Sequence, residues 1–435
     1  MKKGISKACL VAVAGLLLLL IPLVVGCAPK EVKPPTPQTP ALTIPPDARI
    51  VVRYSRDVTG PTVSTQAAMS VPSDEYFRSL NEQGGIEFKY KGQNYKIKVD
   101  YVEADDKYDI ALAVANYKKF VADKPQFVMF NRSGQPEALG AECARDKIPM
   151  LAYGIGDPEI IYNPGWVFCA TEIYPEAVGA VANYIVANWK ETRPIRIAYL
   201  IMDTPSGWGL YTDEVKAYFK KLGKIEVVRD PWFMKTGDID LTTEMTAMKK
   251  YEPDFIISSP WAVAAWKMML ESGERAGLTI SGGGKTAIIG INNIIQPSVG
   301  ALGPVSKGAI GASPWKLWTE NVPAWDQAQA LATKYGRTGA PDIMNAVGLT
   351  YARLIHGAAK AALETNGWPI TGAETYAALQ SGVTGDTLGG LVGPIKLSAT
   401  ERRVITSVRL YRSTGQALES LGEWFITPTM KKGAY

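Results

Sequence analysis

The sequence predicts an α/β protein made of two doubly wound parallel-sheet lobes. Three observations carry that prediction. From Arg49 onward, short apolar runs alternate with stretches of helical periodicity, the pattern of a parallel sheet with helices on both faces. The strand-like runs are continuously apolar, as in IAYLIM at Ile197–Met202, which suits strands covered on both sides. There are also too many such units for one sheet, so they divide between two. A hydrophobic share of 46% and a charged share of 20% are enough for a sizeable core. The formal net charge of +5 is small and its basic residues are dispersed, which gives no footprint for nucleic acid.

Ile197 to Gly223 is the clearest unit. An apolar strand ends at Asp203, the loop TPSGWG follows, and Val215, Tyr218, Phe219 and Leu222 then fall on one helical face before Gly223. Ligands of open α/β sheets collect beyond the carboxyl ends of the strands, which puts Ser206 and Trp208 at such a crevice.

The other elements follow in order. RIVVRYS is a strand with the loop VTGP at its end, and Ser73 to Leu80 carries a helix stopping at the NEQGG turn. YKIKVDYV alternates as a strand, and Tyr108 to Ala122 places Ile110, Val114, Tyr117 and Val121 at helical spacing. QFVMF, PMLAYG and WVFCATEI are strands, with the loop NRSGQ and the helix PEALGAECARD after the first of them. A helix over Pro175–Trp189 leads into the Ile197 strand. IEVVRDPWF, DFIISS, AIIGIN and GAIGASPW are further strands, interleaved with helices over Leu241–Lys250 and Ala262–Glu274. Helices over Pro323–Tyr335 and Ile343–Glu364, strands VGPIKLS and VITSVRLYR and an extended WFITP tail complete the chain.

The amino terminus is built differently. Lys2, Lys3 and Lys7 precede an apolar run from Leu10 to Val25, the make-up of an export signal. Pro29, Pro34, Pro35, Pro37, Pro40, Pro45 and Pro46 then make an extended tether that cannot bury enough apolar surface to fold. The signal's end, Val24-Val25-Gly26-Cys27, resembles a bacterial lipoprotein signal, in which the chain is cut before the Cys and its sulfur carries a lipid. A plain membrane anchor or a soluble secreted form is the other reading. Beyond Cys9 and Cys27, Cys143 and Cys169 remain. An exported compartment permits a bridge between them, and two buried free thiols is the alternative.

The order of these pieces resembles the type I periplasmic binding proteins, in the branch holding the leucine/isoleucine/valine-binding proteins of branched-chain amino acid ABC transporters. The residues carrying the likeness are Val58-Thr59-Gly60-Pro61, Asn81 to Gly85, Ile148-Pro149-Met150, Asp203 with Trp208-Gly209, Pro253-Asp254 and Lys334-Tyr335-Gly336. The resemblance implies two lobes joined by three crossovers, closing by a hinge around a ligand. It implies residues 1–27 as lipoprotein signal, 28–47 as tether, 48–171 with 312–393 as the first lobe and 172–311 with 394–435 as the second. The implied partners are a small organic solute, the membrane subunits of an ABC permease and a membrane reached through the lipid anchor, facing the periplasm or extracellular space. No cofactor and no metal is implied.

The resemblance also assigns candidate ligand-binding residues. Ser133, in NRSG, matches a loop that binds a ligand carboxylate, although a helix N-cap is the commoner role of such a Ser. Tyr153, Gly154, Ile155 and Gly156 match the next loop, where the family presents a Thr hydroxyl and this chain has Gly156. Trp208 stands where the family has a Tyr, and Trp261 at another strand end; each indole can stack on a ligand or simply pack. Asn292 stands where amino-acid binders place an acid opposite the ligand ammonium, with Glu172 or Asp157 as substitutes. The departures at Gly156 and Asn292 point to an aromatic or aliphatic acid rather than a standard amino acid. Tyr54, Ser55 and Arg56 end the first strand at the same crevice, and Arg56 suits a carboxylate. Trp315, Trp318 and Trp325 are read either as cleft mouth or as a hinge-side packing cluster.

An enzyme is disfavoured. The single histidine, His356, lies in a helical pattern, so a Ser-His-Asp or His-metal site would have to run through it alone. No Gly-x-Ser-x-Gly elbow follows a strand, and SGGGKT at Ser281–Thr286 lacks the first Gly of a phosphate loop. Two functions stand: a lipid-tethered receptor feeding an ABC permease, and a lipoprotein that senses ligand for a membrane partner without transport. An exported α/β enzyme is a distant third.

Overall fold

A computed structural model of the chain describes residues 42–163, 165–235, 237–291 and 295–435. The signal segment with Cys27, most of the tether, and Asn292 lie outside them. Fifteen strands occur among the described residues: β1 Arg49–Arg56, β2 Ile86–Tyr90, β3 Gln93–Asp105, β4 Phe127–Phe130, β5 Met150–Ala152, β6 Val167–Cys169, β7 Ile195–Met202, β8 Ile225–Val227, β9 Trp232–Met234, β10 Phe255–Ser258, β11 Ala287–Gly290, β12 Ile310–Ser313, β13 Ser407–Ser413, β14 Leu418–Ser420 and β15 Phe425–Ile426. They form two sheets. The first has the order β2-β3-β1-β4-β5-β6 and is parallel apart from the β2–β3 hairpin. The second runs β14-β13-β12-β11-β10-β7-β8, with β9 also on β7, and turns antiparallel only from β13.

Both faces of each sheet are covered, as the continuous apolar runs require. In β7, Ile195, Ile197, Tyr199 and Ile201 pack into one core with the helices Tyr174–Asn188 and Asp213–Leu222. Ala198 and Leu200 point the other way, into a core with Met245, Met248, Trp266 and Met269 from the helices Thr242–Lys249 and Val263–Arg275. In β4, Phe127 and Met129 face the helices Val63–Glu82 and Asn345–Asn366, while Val128 and Phe130 face Ile110–Ala122 and Gly134–Asp146. The Asp213 helix has the ends its sequence predicts: Thr212 accepts from the Val215 amide, and Gly223 closes it at φ 68°.

The chain passes between the sheets three times: between Cys169 and Tyr174, after Ser313, and before Ser407. The third passage runs beside β6. The Cys169 amide donates to the Arg402 carbonyl at 3.2 Å, and the Val404 amide donates to the Cys169 carbonyl at 3.0 Å. A buried ion pair pins this hinge, with Arg403 Nη1 2.8 Å from Glu176 Oε2 and the pair about 8% and 1% exposed.

Some local readings change. The first helix begins at Val63 and runs through Pro72 instead of starting after it. Proline removes the donor that would serve the Ala68 carbonyl, and Asn345 Nδ2 supplies one at 2.8 Å. IEVVRDPWF is two strands, because the break at Val228–Pro231 lets both β8 and β9 pair with β7. VGPIKLS joins no sheet; Pro394 has no N–H to give, and Ile395 bonds to the Gly385–Asp386 turn. The helix Gly372–Ser381 and strands β2 and β14 are elements the periodicity did not reveal. Cys143 and Cys169 are free, buried thiols in one core, so no bridge joins them.

Candidate functional site

Both sheets reverse winding direction at a definite place: beside β1 and β4 in the first, beside β7 and β10 in the second. Loops diverge at such points and leave a crevice at the strands' carboxyl ends. A cavity of about 250 Å³ lies there, lined from both sheets. The first sheet contributes Thr62, Thr65, Gln66 and Met69 after β1, Tyr108 after β3, Arg132 and Ser133 after β4 and Tyr153 after β5. The second contributes Met202, Thr204 and Ser206 after β7 and Trp261 after β10, and Tyr174 enters from the first crossover. A larger groove of about 480 Å³ lies at the opposite strand ends, but its two arginines are already paired, Arg193 with Asp254 at 2.7 Å and Arg196 with Glu252 at 3.4 Å.

The floor is built by Asn131. Its Nδ2 donates to the Tyr54 hydroxyl, its Oδ1 accepts from Tyr351 at 2.9 Å, and its carbonyl accepts from Gln66 Nε2 at 3.2 Å. Those bonds fix the loop that presents Arg132 and Ser133. Ser133 precedes the Gly134–Asp146 helix yet makes no capping bond, which leaves its hydroxyl for the cavity. Arg132 lies over the Tyr108 ring, 4.1 Å from its centroid, and donates to the Tyr108 carbonyl. Burial pushes the Tyr108 and Tyr174 hydroxyls up, so both stay neutral phenols at physiological pH. No Asp or Glu is among the described lining residues.

Ser133, Tyr153 and Trp261 therefore meet in one cavity, with Ser206. Tyr54 is fully buried behind it and acts through Asn131. Gly154 adopts φ 60°, and a Cβ there would stand 2.2 Å from the Tyr174 hydroxyl, so this glycine admits the tyrosine to the wall. Gly156 packs against the loop after β7: a Cβ would come within 2.5 Å of the Pro205 carbonyl oxygen. Trp208 is outside the lining. Its Nε1 donates to Asp203 at 2.7 Å, its ring tilts against Phe233, and it is 42% exposed. Arg56 is taken by Glu103 at 2.6 Å and does not reach the cavity. Neither Glu172 nor Asp157 lines it; Asp157 accepts from the Glu159 amide.

The tryptophan cluster is packing. Trp315 is fully buried with Nε1 on Thr350 at 3.1 Å, and Trp318 meets Trp325 edge-on at 5.9 Å. His356 is also structural: its Nδ1 is 2.7 Å from the Tyr76 hydroxyl, and burial holds its pKa below the usual imidazole value. Sequence reasoning passed over Arg132, Tyr108, Tyr174 and Gln66, and with them Thr62, Thr65, Met69, Asn131, Met202 and Thr204. The Arg next to the flagged Ser133 was the one available signal.

Two doubly wound lobes, three crossovers and a cavity between the lobes define the type I periplasmic binding protein fold. The family profile described as periplasmic binding protein matches residues 54–417, and the chain belongs to that family. Among solved structures it is similar to a branched-chain amino acid ABC transporter protein of Thermus thermophilus with bound valine (20% identity, 89% of this chain and 99% of that one, TM-score 0.77). It is also similar to an ABC transporter solute-binding protein of R. palustris in complex with benzoate (18%, 88% and 98%, TM-score 0.67). A third is a fatty acid ABC transporter substrate-binding protein of Thermomonospora curvata (16%, 89% and 94%, TM-score 0.69). No curated protein matches the sequence. The chain is thus an extracytoplasmic solute-binding protein and not an enzyme. Among the described residues, no helix is long and apolar enough to cross a membrane.

Proposed function

We propose that this chain is the lipid-anchored solute receptor of an ABC importer, gripping a small organic acid or amino acid by hinge closure. The observation that carries the reading is the cavity at both winding-reversal points, lined by side chains from both sheets. A solute held there ties the lobes together, so binding favours the closed arrangement. Ser133, Tyr153 and Trp261 contact the solute, Tyr54, Gly154 and Gly156 support the cavity, and Trp208 stands at its rim. Asn292, which lies outside the described residues and follows β11 in the sequence, remains a candidate. The lobes are taken as 48–171 with 312–393 and 172–311 with 394–435. The signal, Cys27 and the Pro-rich tether support anchoring to the cell membrane, facing the periplasm or the extracellular space, with the permease subunits as partners. Of the relatives named above, two hold valine and benzoate and the third is named for fatty acids, and a carboxylate is common to all three solutes.

The test is mass spectrometry of small molecules released when the purified full chain is denatured, followed by calorimetric titration of the solute found. A single organic solute at near-stoichiometric amount is expected. A protein that releases nothing and gains no thermal stability from any solute class would sink the reading. For the anchor, Cys27→Ala is expected to move the protein from the membrane to the soluble fraction.

A further inference from the structure

We infer that Arg132 is the anion anchor of the cavity, and that the solute is a monoanionic carboxylate with an apolar body and no ammonium group. This rests on the solute-binding reading and narrows it. Several arginines that hold the fold are matched by carboxylates: Arg53 by Asp100 and Asp123, Arg56 by Glu103, Arg337 by Glu75, Arg403 by Glu176, while buried Arg402 spends its guanidinium on the Ile161 and Ala399 carbonyls. Arg132 lines the cavity and has no carboxylate within ion-pair range among the described residues. Its partners are the face of the Tyr108 ring and the Tyr108 carbonyl. Those contacts orient the guanidinium without neutralising it. A guanidinium is always charged and presents a fork that fits a carboxylate's two oxygens. Ser133, the next residue, adds a hydroxyl that no helix cap consumes.

The same inventory argues against a zwitterion, since the carboxylates nearest the wall, Glu172 behind Tyr174 and Asp57 and Asp106 beside Tyr108, do not line the cavity. An α-amino acid brings an ammonium that must be desolvated, and a buried charge without a partner is costly. No Asp or Glu stands among the described lining residues, and the segment Ile291–Ile294 reads INNI, with no acid in its sequence. The rest of the wall is Met69, Met202, Tyr153, Tyr174 and Trp261, a surface for rings and methylenes. At about 250 Å³ the space suits a single ring or a short branched chain.

Three probes share one skeleton: 4-methylpentanoate, its amide, and leucine, which adds only the ammonium. They are titrated into the full chain freed of ligand by denaturation and refolding, with benzoate as the aromatic counterpart. The acid, or benzoate, is expected to bind about tenfold or more tightly than the amide or leucine, the worth of one charge-assisted bond. Arg132→Gln is expected to lower acid affinity about tenfold or more and amide affinity by much less, so that the preference for the acid disappears; loss of a merely structural arginine would weaken both alike. Arg132→Lys, with charge but no fork, is expected to fall between. Circular dichroism and the thermal midpoint check that both variants fold. Leucine binding as tightly as the acid, Arg132→Gln keeping full acid affinity, or none of the four probes binding would each overturn the inference. A co-purified zwitterion or cation would overturn it while leaving the solute-binding reading intact; the absence of any bound solute defeats that reading itself.

Discussion

Gly156→Ala tests whether the two loops that close the cavity meet through backbone alone. The added Cβ would lie 2.5 Å from the Pro205 carbonyl oxygen and 3.3 Å from its carbon, with Gly209 Cα at 3.6 Å. Ordinary contact begins near 3.4 Å, so the loop after β5 and the loop after β7 must separate by roughly 1 Å. Both partners are backbone, so no rotamer change relieves the clash. Overpacking of this kind costs about 1–3 kcal/mol. Because the two loops belong to different sheets, opening the lobes relieves it, and the cost then falls on the closed, solute-binding arrangement. That converts to about a 5- to 150-fold loss of affinity. Ile155, the preceding residue, bridges to Ile173 in the first crossover, so a displacement beside the hinge grows toward the cavity mouth. The assay is calorimetry with the co-purified solute, paired with small-angle scattering of the bound protein, whose radius of gyration should rise. Gly209→Ala should behave alike, since its Cβ would meet Gly156 Cα at 2.7 Å, whereas Gly237→Ala, with open space around it, should change nothing. Unchanged affinity and scattering in Gly156→Ala would refute the claim that this contact limits closure.

Other consequences follow from the same geometry. Trp261→Ala should weaken solute binding by about 2 kcal/mol or more, while Trp208→Ala, at the rim, should stay within roughly threefold of the parent by calorimetry. Glu176→Ala strips the buried hinge pair; the usual cost is about 3–5 kcal/mol, held toward the lower end because Glu401 still pairs with Arg403, and denaturant unfolding measures it. Burial opposes ionisation of Asp105, but the Thr59 hydroxyl and the Val58, Thr59 and Lys107 amides outweigh it and hold its carboxyl at about 2. A depressed folded value means that its contribution is whole above the unfolded value near pH 4 and lost as pH falls toward 2. Thermal midpoints should therefore drop over that window and flatten there in Asp105→Asn. Burial pushes the Cys143 and Cys169 thiols up to about 12, so both should resist alkylation in the native protein and label once it is unfolded, as read by peptide mass spectrometry.

The alternation of strands and helices was legible because its signals are local. A strand buried on both faces must be apolar throughout, and a helix must repeat near every fourth residue. The loops at strand ends could be located for the same reason, but the choice of Ser133, Tyr153 and Trp261 within them came from the family resemblance. Pro72 misled for a local reason too. Nothing near it in sequence announces that Asn345, far along the chain, donates to the carbonyl that the proline leaves unserved. The part of the helix missed on that account carries Thr65, Gln66 and Met69 to the cavity.

Which residue of a loop faces the solute was decided only in three dimensions. Arg56 at the end of β1 and Arg132 just after β4 look equivalent as text. The β1–β3 pairing brings Glu103 beside Arg56 and consumes its charge, whereas Arg132 meets an aromatic ring and stays available. Trp208 turned outward because Asp203, five residues earlier, accepts its indole N–H. The sequence by itself determined the two-lobed α/β architecture and the loops that surround the cavity, since both arise from short-range periodicity. The tertiary structure alone decided which unpaired positive charge faces the cavity, because a charge is free or spent according to neighbours that only folding brings near.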